Sequence, residues 1–292
     1  MLSAIQIGKF CMPDRSKFNY AALPFIGIHI ACLAVFWLGI DSVALWMCVV
    51  LFLVRKFGIT GGYHRYFSHR AYKTSRLFQF LLGFLGATSG QRGPVWWAAQ
   101  HRHHHKYSDT DEDIHSAEKK GFYWSHVGWV LSPEYDDYNE KLVKDLTRYP
   151  ELLWLEKYHF VPPILLAVVC YLAYGWLGLF WGFFVSTTIL YHTTFAINSL
   201  CHVFGSQRYE TGESSKNSLW LALITLGEGW HNNHHRYPLA ACQGFFWWEI
   251  DISYYVLVVL SWFGIVWDLK QPPKQLLQPE TVIAKTKTST VA

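Results

Sequence analysis

The chain has 292 residues, of which 51% are hydrophobic and 18% aromatic but only 16% charged, with a formal net charge of +4. Soluble domains carry about 25% charged residues, so this balance points to a membrane protein. The small net charge, with no Gly-rich phosphate loop and no aromatic-plus-basic pattern, argues against a nucleic-acid partner.

Lys9, Asp14, Arg15 and Lys17 precede the first apolar run, and no small-residue cleavage site follows. The opening segment is therefore expected to be retained rather than removed as a signal peptide. From Phe18 to Val54 there is no Lys or Arg, a run too long for one membrane helix of about 20 residues. It breaks at Gly39–Ile40–Asp41, which predicts two helices, over 21–39 and 42–57. Gly58, Gly61 and Gly62 then lead into H-R-Y-F-S-H, with His64 and His69 five apart. That spacing is about 140° around a regular helix, so a helix end or bend is expected there. Leu77–Ala98 is apolar but holds Gly83, Gly86, Gly90, Arg92, Gly93 and Pro94, and reads as a re-entrant or interfacial helix. H-R-H-H-H (His101, His103, His104, His105) and the acidic run D-T-D-E-D follow.

Tyr158–Gln207 is the second stretch without Lys or Arg. It breaks at Gly175–Trp176–Leu177–Gly178, which predicts helices over 161–176 and 179–198. N-S-L-C-H then places Asn198 and His202 as i, i+4 neighbours, and H-N-N-H-H supplies His231, His234 and His235. Phe245–Trp267 contains Glu249 and Asp251 and reads as an amphipathic helix lying at the membrane surface. Residues 271–292 are polar and Pro-rich, and a disordered tail is expected. Six cysteines (Cys11, Cys32, Cys48, Cys170, Cys201, Cys242) show no C-x-x-C spacing and read as small core hydrophobes. Every Lys and Arg falls in the first, central or last segment. The positive-inside rule therefore puts both termini and all three histidine clusters on the cytoplasmic side. The expected fold is an all-α membrane protein. Residues 1–20 form a cytoplasmic segment, and 21–270 a domain of four transmembrane helices in two hairpins under a cytoplasmic helical cap.

The chemistry lies in the histidines. H-x-x-H-H occurs twice, and positions i, i+3 and i+4 share one helix face. Such triplets can reach one metal, or two adjacent ones. His64, His69, His101, His104, His105, His231, His234 and His235 exceed what a single zinc takes, and His202 is a candidate ninth. A nitrogen-rich set without cysteine fits Fe, Cu, Zn or Ni rather than Mg or Ca. H-E-x-x-H is absent, which argues against a zinc protease. Asp109, Asp111, Asp113 and Glu228 are candidates to orient imidazoles through their second nitrogen. His29 and His192 lie within the spans and read as hydrogen-bonded core residues.

These motifs (G-Y-H-R-Y-F-S-H-R-A-Y-K, H-R-H-H-H-K-Y-S-D, G-F-Y-W-S-H-V-G-W, N-S-L-C-H and G-E-G-W-H-N-N-H-H) resemble the membrane acyl desaturases typified by stearoyl-CoA desaturase, over roughly His64 to Pro238. The resemblance implies four membrane helices and a cytoplasmic cap holding two iron ions. By it the ligands are His64, His69, His101, His104, His105, His202, His231, His234 and His235, with Asn198 acting through water and His103 off the pattern. It implies O2-dependent insertion of a cis double bond, at Δ9, into a saturated acyl chain, with two electrons from an external donor. That donor is a ferredoxin or cytochrome with its reductase. No haem domain or iron–sulfur cysteine set is present. Arg65, Arg70, Lys73, Arg76 and Lys106 are candidates to dock an acidic donor. Gln91 and Thr194 match residues that bend the acyl chain, while Phe195 replaces the family tryptophan. Ala99 and Gln100 stand where animal members carry charged residues toward the CoA headgroup, so the acyl carrier, CoA, lipid or carrier protein, stays open. The competing readings are a di-iron hydroxylase or alkane monooxygenase and, in another class, a metal transporter, which would place its histidines near the bilayer midplane.

Overall fold

The computed structural model describes residues 22–278; the segment 1–20 and residues 279–292 of the expected tail lie outside them. The first hairpin is helix α1 (Leu23–Leu38) followed by α2 (Ser42–Ser68). Gly39 makes the reversal at φ +69°, a region that disfavours other residues. Asp41 then caps α2 by accepting from the Ala44 N–H at 2.8 Å. The second hairpin is α6 (Val161–Leu177) and α7 (178–203). Its reversal lies at Tyr174–Gly175, with Gly175 at φ +55°, so Trp176 and Leu177 already belong to the returning chain. The two turns meet: Tyr174 Oη donates to Asp41 Oδ2 at 2.7 Å, and Trp181 Nε1 donates to the Gly39 carbonyl at 2.9 Å. Ser42–Ser68 and Val161–Val203 are long and apolar enough to cross a membrane.

Between the hairpins, the apolar 77–98 segment is two elements. Helix α3 (Arg76–Ala87) ends at Thr88, and Gly90 and Arg92 turn the chain with φ of +70° and +66°. Pro94 opens α4 (Pro94–Tyr107) at a first-turn position, where its missing N–H costs nothing. Glu156, in α5 (Pro150–Lys157), accepts from the exposed N–H groups of Val95 and Trp96 at 2.9 Å each. The proline is thus a helix start, and the segment expected to form one re-entrant or interfacial helix is two helices joined by a turn.

α2 continues past 57 as a wider π-helical stretch, Gly58–Ser68. Close packing accompanies this. A Cβ on Gly58 would lie 3.0 Å from the Gly86 nitrogen, and one on Gly86 would strike the Tyr63 ring. The core around this contact holds Tyr63, Phe67, Leu82, Val95, Leu152, Leu155, Leu190 and Leu257. Lys73–Thr74 and Val266–Trp267 form a two-residue antiparallel ladder, the departure from an all-helical chain.

The C-terminal region departs further from expectation. Helix α9 spans only Ile252–Trp262. Glu249 and Asp251 precede it and are buried, at 2% and 1% exposure, rather than forming a wet face. Asp251 caps the helix through the Tyr254 N–H at 3.0 Å and binds Arg65. Residues 271–278, the first of the expected tail, pack on the body, with Leu276 buried and its carbonyl accepting from Tyr209 Oη at 2.7 Å.

Candidate metal centre

Four chain segments deliver the histidines. The π-helical stretch of α2 carries His64 and is capped by His69, whose N–H reaches the His64 carbonyl at 3.2 Å. An i→i+5 bond stacks residues five apart, so the two rings meet at 4.9 Å between centroids. A regular helix would have splayed them. Helix α4 carries His101, His104 and His105, α7 holds His202 in its last turn, and the short α8 (His231–Arg236) carries His231, His234 and His235.

The side chains fall into two groups, within each of which the ligand atoms lie within 4.8 Å of one another. One is His64, His69, His101, His105 and His234; the other is His104, His202, His231 and His235. Each H-x-x-H-H motif is shared. The i, i+4 pair His101/His105 serves the first group while His104 serves the second. His231/His235 serve the second while His234 crosses to the first. The i+3 ring lies one step around the helix from the i, i+4 pair, so one motif bridges two adjacent points. His105 and His235 stack across the divide at 4.4 Å.

The arrangement fits cations better than hydrogen bonds. In the first group four Nε2 pairs follow one another: His69–His101 at 2.8 Å, His101–His105 at 3.0 Å, His105–His234 at 2.9 Å and His234–His64 at 3.0 Å. A ring nitrogen of neutral imidazole either donates or accepts, and one N–H serves one partner. The four contacts therefore cannot all be hydrogen bonds. In the second group the Nε2 atoms of His104 and His235 are buried with no hydrogen-bond partner among the described residues. Convergent, desolvated imidazole lone pairs are a donor set for a transition metal. Burial, reinforced by neighbouring histidines, holds His69, His101, His105, His231, His234 and His235 well below the ordinary imidazole value, so they are neutral and able to ligate.

Carboxylates hold the opposite ring nitrogens. Glu228 contacts His64 Nδ1 and also binds Arg65 at 3.0 Å. Burial would raise Glu228, but His64 and Arg65 outweigh it and hold the carboxyl at about 2. Asp113 accepts from His104 Nδ1 at 3.0 Å. Burial opposes a charge on His104, yet Asp113 keeps it above the ordinary value. Asp109 acts through Ser214, whose hydroxyl lies 2.5 Å from Asp109 Oδ2 and 3.1 Å from His202 Nδ1. Of the acidic candidates, Asp111 is exposed and takes no such position. Glu213 was not foreseen: its Oε2 lies 3.6 Å from His235 Nδ1 and 3.7 Å from His202 Nδ1. Gln243, also unforeseen, donates to Glu228 at 2.8 Å. His115 stands beside His104, 4.3 Å between centroids. His103 turns away, with Nε2 at 2.9 Å from the Glu112 carbonyl.

A cavity of about 990 Å³ adjoins the histidines. Its lining brings together His101 and Asn198, the three tunnel candidates Gln91, Thr194 and Phe195, and, beside the second turn, Trp176 and Leu179. Gln91 Nε2 donates to Thr194 Oγ1 at 3.3 Å, and Phe195 stacks on Tyr191 at 5.8 Å. Gln100 gives its amide hydrogens to the Tyr135 and Asp137 carbonyls at 3.1 and 2.9 Å. His29 and His192 hydrogen-bond to each other at 3.0 Å, and His192 also to His126 at 3.0 Å.

Arg65 is a correction to the donor-docking set. It is 1% exposed and is held by Glu228, Asp251 and the Ala241 carbonyl. The π-helical stretch turns it inward, away from any partner. Arg70, Lys73 and Arg76 face outward but are paired with Asp145, Asp268 and Glu151.

The family model for fatty acid desaturases matches residues 40–267. The sn-2 palmitoyl-lipid 9-desaturase of Nostoc sp. (strain 36) is 37% identical over 75% of this chain and 78% of its own. The sn-1 stearoyl-lipid 9-desaturase of Anabaena variabilis is 36% identical over 86% of this chain and 93% of its own. An acyl-CoA 5-desaturase of Anemone leveillei is 35% identical, covering 84% and 77%. The chain belongs to the fatty acid desaturase family, an oxidoreductase acting on fatty acyl chains.

Proposed function

We propose that this chain is a membrane Δ9 acyl-lipid desaturase, placing a cis double bond in a saturated chain carried on a glycerolipid. The observation that carries the reading is one apolar cavity whose lining includes His101 and Asn198 at one side and Gln91, Thr194 and Phe195 along the wall. The nine histidines are the ligands of two iron ions, with Asn198 acting through water. When bound, such a pair supplies O2 activation and the removal of two hydrogens from carbons that have no acidic proton. The chain's own residues do the rest. Glu228, Asp113, Asp109 and Glu213 orient the rings through Nδ1 and leave Nε2 free to ligate. The aromatic walls keep water out, and Gln91 and Thr194 set the bend of the acyl chain.

Two observations favour a lipid carrier. The amide of Gln100 is occupied by loop carbonyls rather than turned to a headgroup. The cavity is also walled by Gly27 and by Ile164, Val168 and Tyr171, which are 57%, 47% and 41% exposed on the flank of α6. A lipid acyl chain can enter such a flank from the bilayer. Four spans, both termini on the cytoplasmic side, and a separate ferredoxin or cytochrome donor complete the reading. Its test is expression in a host lacking unsaturated fatty acids, followed by mass analysis of the glycerolipids. Chains two hydrogens lighter, with the bond at carbon 9, are expected. Gain of one oxygen instead, or a double bond elsewhere, defeats it.

A further inference from the structure

Lys56 is 0% exposed on α2, next to the equally buried Arg55. Its Nζ makes one hydrogen bond among the described residues, to Thr194 Oγ1 at 3.1 Å. Burying an amine whose one hydrogen-bond partner is a hydroxyl is costly, so the contact calls for a role. Thr194 Oγ1 donates to the Leu190 carbonyl at 2.9 Å. Its remaining capacity is two lone pairs. Lys56 takes one and Gln91 Nε2 the other, at 3.1 and 3.3 Å. The hydroxyl is thereby saturated and its rotamer fixed. Thr194 and Gln91 line the cavity, whereas Lys56 does not. It stands behind the wall and holds the wall's polar pair in one orientation.

We propose that Lys56 is a positioning residue that determines where the double bond falls, by locking the Thr194–Gln91 pair against which the acyl chain bends. This rests on the reading of Gln91 and Thr194 given above. A lysine acting only as polar glue between α2 and α7 would affect yield but not the carbon that reacts. Regiochemistry therefore separates the two roles.

The test uses the full-length protein in the host lacking unsaturated fatty acids, with three variants: Lys56→Met, Thr194→Val and the two combined. The readout is the ratio of double-bond positions in product lipids. Lys56→Met is expected to raise the share of product at neighbouring carbons about tenfold, the factor set by losing one buried hydrogen bond. Thr194→Val is expected to shift the same ratio. The double variant should match Thr194→Val alone, because Lys56 acts through that hydroxyl. An unchanged ratio in Lys56→Met beside a shifted one in Thr194→Val overturns the inference and leaves the tunnel reading standing. Unchanged ratios in both overturn both. A double variant whose shift is the product of the two singles also overturns the inference, since Lys56 then acts by another route. If the methionine variant does not accumulate, Lys56→Leu carries the same test.

Discussion

Asp113→Asn tests whether the carboxylates tune the second histidine group. Asp113 is fully buried, and its oxygens accept from His104 Nδ1 at 3.0 Å, the Asp109 N–H at 2.9 Å and the His115 N–H at 3.2 Å. Asparagine keeps the shape but offers one acceptor oxygen and an NH2 group, so at least one of these N–H donors faces another donor. It also removes the charge that favours His104 with hydrogen on Nδ1 and its Nε2 lone pair free. Loss of such a partner lowers metal affinity by about 10–100-fold, or about 1.4–2.8 kcal/mol. Only His104 among the nine histidines touches Asp113, so the effect is confined to the group His104, His202, His231 and His235. Titration of the purified variant with a chelator, followed by metal analysis, should show one of two irons leaving at a chelator concentration about 10–100-fold below wild type. The other iron should leave at the wild-type value. Simultaneous loss of both, or a titration identical to wild type, would refute the reasoning.

Four further outcomes follow from the same geometry. His234→Ala, which removes the ring that crosses between motifs, should abolish unsaturated product, whereas His103→Ala, facing the Glu112 carbonyl, should retain it; lipid analysis reads both. Gly175→Ala forces a side chain to φ +55° and should cost about 1 kcal/mol, read as a lower Tm in detergent, while Gly27→Ala should not. Asp145 is held below the usual carboxylate range: burial opposes this, but Arg102 and Arg70 prevail. Its folded value is depressed, so its contribution is present above the unfolded value of about 3.9 and is lost as pH falls through the folded one. Asp145→Asn should therefore lower Tm at pH 7, and the gap to wild type should close below about pH 4. Lys106→Glu, on the exposed last turn of α4, should raise the KM for an acidic electron donor at low salt; an unchanged KM would remove Lys106 from the docking surface.

What could be read from the residues alone was what repeats at short range. H-x-x-H-H at His101 and His231 announces its shared face through the spacing itself, and Gly39 and Gly175 mark the reversals because few other residues adopt their φ. The pairing across the chain was not legible. His104 meets His235, and Glu213 reaches His235, only because separate segments fold together, and no local spacing encodes that. The π-helical stretch explains two surprises at once. It brings His64 and His69 onto one face, and it turns Arg65 inward where a regular helix would have left it on a basic surface. Glu249 and Asp251 looked like the wet side of an amphipathic helix because their partners, Arg208 and Arg65, lie 41 and 186 residues away. The loop carbonyls of Tyr135 and Asp137 that hold Gln100 lie 35 and 37 residues away, so its partners too were not legible.

The central claim is that two irons sit on nine imidazoles divided five and four. X-ray absorption at the iron edge, together with metal content per chain on anaerobically purified protein, tests it most directly. The account predicts two irons per chain in a shell of light nitrogen and oxygen donors with imidazole scattering, falling to one after Asp113→Asn and mild chelation. One metal per chain, zinc in place of iron, or a sulfur shell would contradict it.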